Sequence, residues 1–223
     1  MNLDSAEIKS IKGDASFRKF YRAKIKKKSF IIVLAKKEKR KNLLNYDSIN
    51  KILLKNKINV PKLVSENFDK NYMVIQDLGN KTVFDILKKK KINKVRIYKK
   101  ILNILIKIQD IKLRKIKNFK NNTYKIPVYS KKKIFDEANL FLKWYAPQFI
   151  KKNKLLSLRR ELKKNIIYLI NKIKLSNNTF VHRDFHVSNL MIKKNKIFLI
   201  DSQDAVYGNI AYDLASLIDD VRL

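Results

Sequence analysis

The stretch FVHRDFHVSNLMIKKNKIFLIDSQDAVYGNIAYDLASL, residues 180–217, constrains the fold of this chain more than any other feature. Its apolar runs (Phe180–Val181, Leu190–Ile192, Ile197–Ile200) are too short for helices and are split by polar loops, so they read as strands. The first loop carries His182, Asp184 and Asn189, and the last strand delivers Asp201 at its end. A carboxylate and an amide five residues apart can share one side of a tight loop, and an antiparallel neighbour can bring Asp201 to face both. Such a set offers one carboxylate to accept a hydroxyl proton, plus an amide and a carboxylate as hard oxygen ligands. Oxygen ligands with water suit Mg²⁺ bridging nucleotide phosphates. Phosphoryl transfer asks a protein for positioning and charge neutralisation more than for covalent chemistry.

Composition removes most competing chemistries. The 223 residues contain no Cys and two His. Disulfide scaffolds, iron–sulfur clusters, thiolate zinc sites, cysteine nucleophiles and multi-histidine metal sites are therefore excluded. The net charge of +34 invites a nucleic-acid reading. However, the excess is nearly all Lys, arriving with abundant Ile and Asn, as an AT-rich coding sequence produces. Its distribution is uneven: residues 175–223 hold five basic residues against six Asp, and the surplus lies in the preceding 174. There it is spread along expected helices, in runs such as Lys88–Lys91 and Lys131–Lys133, as solvated faces are. Weak, sequence-blind attraction to polyanions is expected, and a basic RNA-binding protein stays an alternative. No uncharged apolar run approaches the roughly 18 residues of a membrane span, and MNLDSAEIKS has no apolar signal core. The expectation is a cytoplasmic globular protein with no membrane partner.

Along the chain, residues 17–25 and 29–35 read as a hairpin turned at Lys26–Lys28. A helix follows over 42–56, on the spacing of Leu43, Ile49, Ile52 and Leu53, and Val60-Pro61 marks its exit. Strands around 62–65 and 72–76 lead to a break at Leu78-Gly79-Asn80. Helices are predicted over 82–90, 94–112, 133–146 and 155–174, with a last helix from near Asn209 to the end. The fold class is α+β: a β-rich lobe over 1–78, and over 79–223 a mainly helical lobe carrying the catalytic and metal loops. Trp144 and Tyr145, beside Phe141 on an expected helix, read as core, although they could stack on a sugar face.

H-R-D-F-H-V-S-N-L-M followed by I-D resembles the catalytic and metal loops of the kinase-like phosphotransferases, which include aminoglycoside and choline kinases. Within that superfamily the chain resembles the anomeric kinases of cell-wall recycling, which phosphorylate N-acetylmuramate and N-acetylglucosamine at C1. The matching pieces are GDASFRKFYR (13–22), IQDLGNKT (75–82), FLKWY (141–145), VHRDFHVSNLM (181–191) and IDSQDAVYGNIAYDLASL (200–217), in the family's order and over nearly the whole chain. The resemblance implies a two-lobed protein-kinase-like fold with an antiparallel β N-lobe, and ATP and Mg²⁺ as cofactors. It makes Asp184 the base for the acceptor hydroxyl and His182 the support of the catalytic loop. Asn189 and Asp201 would hold Mg²⁺. Gly13, Ser16 and Phe17 would cover the phosphates, and Gln76, Asp77 and Leu78 would meet adenine at the hinge. Asp213 would brace the loop from the last helix. The implied acceptor is a small molecule, an amino sugar.

Three departures accompany the resemblance. A kinase-like site expects a strand Lys paired with a helix acid. Asp47 stands at the acid's place, but SFIIVLAKK offers only Lys36 and Lys37, at its end; the anomeric sugar kinases also lack an obvious Lys there. Ser202 replaces a usual aromatic. Family members continue well past the YDLASL helix, which implies a truncated helical lobe and leaves a nucleotide-binding protein without turnover as a second alternative. Arg183 reads as a structural ion pair with a nearby Asp, His186 as loop packing, and Gln203 and Asp204 as pointing toward the cleft.

Overall fold

Alternation between inward apolar and outward polar residues builds the first lobe. A computed structural model describes residues 6–11, 18–89, 92–174 and 176–220. Strands β1 (Glu7–Ile11), β2 (Arg18–Ile25), β3 (Lys28–Ala35), β4 (Leu63–Asn67) and β5 (Tyr72–Gln76) form one antiparallel sheet in the order β1-β2-β3-β5-β4. The β2–β3 hairpin closes through Lys26, at φ 53°, where Ile25 pairs with Lys28. Strand β1 was not expected from sequence. It lies on the sheet edge with almost every residue exposed, so EIKSI carries no buried face for a pattern to reveal.

Helix α1 (Lys41–Lys55) crosses this sheet and has two apolar sides. Leu43 and Tyr46 pack with Val33, Ala35, Met73 and Ile75 of the sheet. Ile49, Ile52 and Leu53 instead join the main core, with Phe180, Phe185, Leu199 and Tyr207 of the second lobe. Each of these side chains is worth roughly 1.5–3 kcal/mol when fully buried. One helix therefore holds the two lobes in register.

The second lobe comprises α2 (Val83–Leu87), α3 (Lys94–Gln109), the hairpin β6 (Lys115–Lys117) with β7 (Thr123–Lys125), α4 (Lys131–Leu140), α5 (Ala146–Phe149), α6 (Lys152–Lys172) and α7 (Tyr212–Ile218). Three helix starts carry side-chain caps: Thr82 and Asp85 form a capping box, and Asn93 and Ser130 each accept a backbone N–H. The expected helix over 133–146 is interrupted by a π-helical turn at Phe141–Tyr145. That turn exposes Trp144 (64%) and Tyr145 (54%), and Phe141, Tyr145 and Phe149 stack on the outside. The expectation that Trp144 and Tyr145 are core is corrected: the extra residue rotates them out of the α-helical stripe.

Two short antiparallel pairs carry the loops at 182–189 and 200–205. Strand β8 (Thr179–Val181) pairs with β11 (Val206–Gly208), and β9 (Leu190–Lys193) with β10 (Lys196–Leu199). The apolar runs at 180–181, 190–192 and 197–200 are these strands; β11 had been missed because three residues carry no period. No helix among the described residues is long and apolar enough to cross a membrane.

Candidate functional site

Between the lobes lies a cleft of about 520 Å³, lined by residues of β2 and β3, the Gln76–Asn80 linker, Asn189 and Asp201. The linker is braced before any ligand arrives. Asp77 is buried, and its carboxylate accepts from Arg22 Nε (2.7 Å), from the Ser29 hydroxyl and from Gly79 N (2.8 Å). Burial pushes the Asp77 carboxyl up, but Ser29, Gly79 and Arg22 together hold it below its usual range. Its carbonyl in turn accepts from Lys193 Nζ. Gly79 sits at φ +86°, a backbone conformation that favours glycine, which lets its N–H turn back onto Asp77.

His182 and Arg183 of the 182–189 loop are held by α7. The buried Asp213 carboxylate accepts from His182 N at 2.7 Å and Arg183 N at 2.9 Å, and Arg183 adopts φ 79° in the turn. The ring of fully buried His182 accepts from Asp184 N through Nδ1 (3.3 Å), which places the neutral ring's proton on Nε2. Burial, against the pull of the Asp201 charge, lowers His182 to about 4. It is a neutral prop at physiological pH, and its ring titration by NMR is expected to show a midpoint near that value. The unfolded ring titrates near 6.5, so the folded state loses stability as pH falls from there to about 4. The loss from this residue is roughly 3 kcal/mol. Denaturant unfolding at several pH values, with His182→Gln as the comparison lacking this loss, checks it.

Asp184 and Asn189 stand on the two sides of this loop. Asn189 Nδ2 donates to Asp184 O (3.0 Å) and lies 3.2 Å from His186 Nε2, committing the amide NH₂ to the loop and leaving Oδ1 as the donor atom for a cation. Asn189 O accepts from Ile200 N (3.0 Å), which fastens the loop to the end of β10. Asp201 follows at φ 64°. Asn189 and Asp201 line the inter-lobe cleft, whereas Asp184 lines an adjoining groove of about 460 Å³ with His186, Tyr212, Ser216, Asp219 and Asp220. Among the described residues no group of three or more His, Asp or Glu could cage a metal. Two oxygen donors opening on a cleft fit a cation that takes most of its ligands from phosphates and water, as Mg²⁺ does.

Other expected residues are placed differently. Asp47 is turned away from the cleft and pairs with Lys51 at 2.8 Å; Tyr46, one residue earlier, lines the cleft instead. Lys36 and Lys37 are exposed, and neither lines it. Ser202 is fully buried and donates to Asn50 Oδ1 at 2.7 Å, so a small hydroxyl joins α1 to the segment after β10 where an aromatic was expected. Arg183 pairs with Glu137 (2.8 Å), not with an Asp. Gln203 is buried beneath the loop, and exposed Asp204 accepts from it. Gly13, Ser16 and Phe17 lie outside the described residues.

Sequence reasoning missed Arg18. Its side chain is 5% exposed and reaches from β2 to Asp201 Oδ1 (2.5 Å) and Gln203 Oε1 (2.8 Å). A signal was available: the chain has nine Arg against 44 Lys. Where composition drives basic residues to Lys, an Arg marks a need for a planar, forked donor.

Known proteins resemble this arrangement. A model of the phosphotransferase enzyme family matches residues 7–222. The N-acetylmuramate/N-acetylglucosamine kinase of Neisseria meningitidis serogroup B is 25% identical over 209 residues, covering 93% of this chain and 59% of that protein. The chain thus spans about three fifths of the length of this curated relative. Among solved structures, the ADP-bound aminoglycoside phosphotransferase APH(2'')-Ib superposes with a TM-score of 0.70 at 15% identity, covering 95% of this chain and 70% of that one. An ethanolamine kinase of Plasmodium vivax gives 0.65 at 21% identity, covering 97% and 61%. These likenesses carry the two-lobed kinase-like fold.

Proposed function

Since the chain belongs to the phosphotransferase enzyme family, we propose that it transfers the γ-phosphoryl group of ATP to a hydroxyl of a small sugar, the anomeric hydroxyl of an N-acetyl amino sugar. The observation that carries this reading is the loop joining two cavities: Asn189 and Asp201 on the nucleotide side, Asp184 on the acceptor side, with the Asn189 amide bonded to the Asp184 carbonyl.

In this reading the Gln76–Leu78 linker lies along the adenine, braced through the side chain of Asp77. Asn189 Oδ1 and the Asp201 carboxylate hold Mg²⁺, which supplies charge neutralisation at the phosphates when bound. The Asp184 carboxylate accepts the proton of the acceptor hydroxyl as its oxygen bonds to the γ-phosphorus. The bond from that phosphorus to the bridging oxygen breaks, and ADP leaves with the electron pair. His182 carries no proton in this sequence; it holds the Asp184 backbone in place.

The acceptor's charge follows from its groove. Asp184, Asp219 and Asp220 line it, and no Lys or Arg does so among the described residues. An uncharged sugar avoids the like-charge repulsion that a carboxylate-bearing one meets there. The test is ATP consumption with N-acetylglucosamine, N-acetylmuramate, choline and an aminoglycoside, with and without Mg²⁺. Mg²⁺-dependent turnover on N-acetylglucosamine, with N-acetylmuramate slower, is the expected result. Nucleotide binding without turnover on any acceptor would replace this reading with that of a nucleotide-binding protein.

A further inference from the structure

The cleft lacks the cation that its chemistry demands at the usual place. Strand parity shows why. Arg18, Phe20 and Arg22 share one face of β2 and pair with Ala35, Val33 and Ile31 of β3. Strand β3 therefore turns three aliphatic side chains to this face, and Ile31 lines the cleft. Lys36 and Lys37 follow the strand and stay in solvent. Among the described residues lining the cleft, the cations are Arg18 and Arg22; Arg22 pairs with Asp77 and the Gly79 carbonyl at the linker, and Arg18 with Asp201 and Gln203 at the other end. Arg18 is the one that crosses between the lobes, over 183 residues of sequence, to the carboxylate at the metal loop.

On the nucleotide-binding reading above, we propose that Arg18 takes over the task of the absent strand lysine, orienting the Asp201 carboxylate and binding phosphate oxygens of the nucleotide. A guanidinium can do both at once. It presents five N–H donors in a fixed plane, whereas an ammonium is a point charge with three. In the structure one terminal nitrogen donates to Gln203 and the other to Asp201, so the plane of the fork is set by the second lobe while its stem stays on β2. Several negative charges entering a cleft that already holds Asp201 need such a counter-charge, and burial makes it stronger than an exposed one. The α1 contribution also changes hands. Asp47 points away, and α1 reaches the metal loop through Asn50, which accepts from Ser202. Arg18 and this α1 contact bind the same short segment, Asp201 to Gln203, from two elements of the first lobe.

The experiment compares ADP with adenosine, which differ only in the phosphates, by calorimetry on the wild-type chain, Arg18→Met and Arg18→Gln. Each loss of a charge-assisted phosphate contact is expected to weaken ADP about tenfold or more and to leave adenosine unchanged. Circular dichroism melting establishes that each variant is folded. In the wild type, ADP is expected to shift the Arg18 Nε–H resonance in NMR spectra and adenosine to leave it in place, a measurement that needs no variant to fold. An unchanged ratio of ADP to adenosine affinity in a folded variant, or an Arg18 resonance indifferent to ADP, overturns the role of Arg18 while the nucleotide reading stands. A wild-type chain that binds neither compound overturns both.

Discussion

On the proposed function, Asp184→Asn is expected to lower the turnover of phosphoryl transfer by about 10²–10⁴-fold, the usual contribution of a positioned general base, and to leave nucleotide affinity unchanged. The separation follows from the loop's construction. The Asp184 carbonyl accepts from Asn189 on the nucleotide side, and the variant keeps that carbonyl. Its side chain lines the other groove. Asn has the same shape but cannot take up the acceptor's proton. Steady-state kinetics on the best acceptor, alongside calorimetry with ADP, reads both quantities. A variant that loses nucleotide binding in step with turnover would show Asp184 to be part of the nucleotide site, and would sink its assignment as base.

Asp213→Ala is expected to destabilise the second lobe strongly. It strips the acceptor from two backbone N–H groups, those of His182 and Arg183, in a place where the carboxylate is 1% exposed. Each orphaned buried donor costs about 1–3 kcal/mol, so the sum is roughly 2–6 kcal/mol, readable by denaturant unfolding. Asp213→Asn keeps an acceptor oxygen and is expected to lose less. The pH dependence separates the two effects. Burial pushes the Asp213 carboxyl up to about 6 from 3.8, with the two N–H donors opposing. The folded state thus binds this proton more tightly than the unfolded chain, and stability from this group rises as pH falls from about 6 toward 3.8. His182 does the reverse between 6.5 and about 4. In the wild type the two largely cancel; in Asp213→Asn only the His182 loss remains, so acid unfolding steepens. An Asn variant with the wild-type acid profile would show that Asp213 does not titrate as its burial requires.

The Arg residues show where reading the sequence and seeing the fold part company. Arg18, Arg22 and Arg183 each pair with a carboxylate at or beside the site: Asp201, Asp77 and Glu137. Their presence in a Lys-dominated chain was legible, but their partners lie 183, 55 and 46 residues away. Asp47 teaches the converse. It stands four residues before Lys51 on one helix, and the two form the i,i+4 pair that this spacing allows, so the acid does not face the cleft.

By itself the sequence determined the two-part order of strands and helices, the loop bearing His182, Asp184 and Asn189, and the strand ending at Asp201, because these rest on local periodicity and short spacing. Tertiary structure alone decided that β1 completes the sheet, that β11 supports β8, that Tyr46 rather than Asp47 faces the cleft, and that Arg18 meets Asp201. Each of those is a contact between elements remote in the chain, whose free energy depends on burial and on which face of a strand or helix turns inward. A three-residue strand, an exposed edge and a rotation of one position on a helix leave no period in the residues that form them.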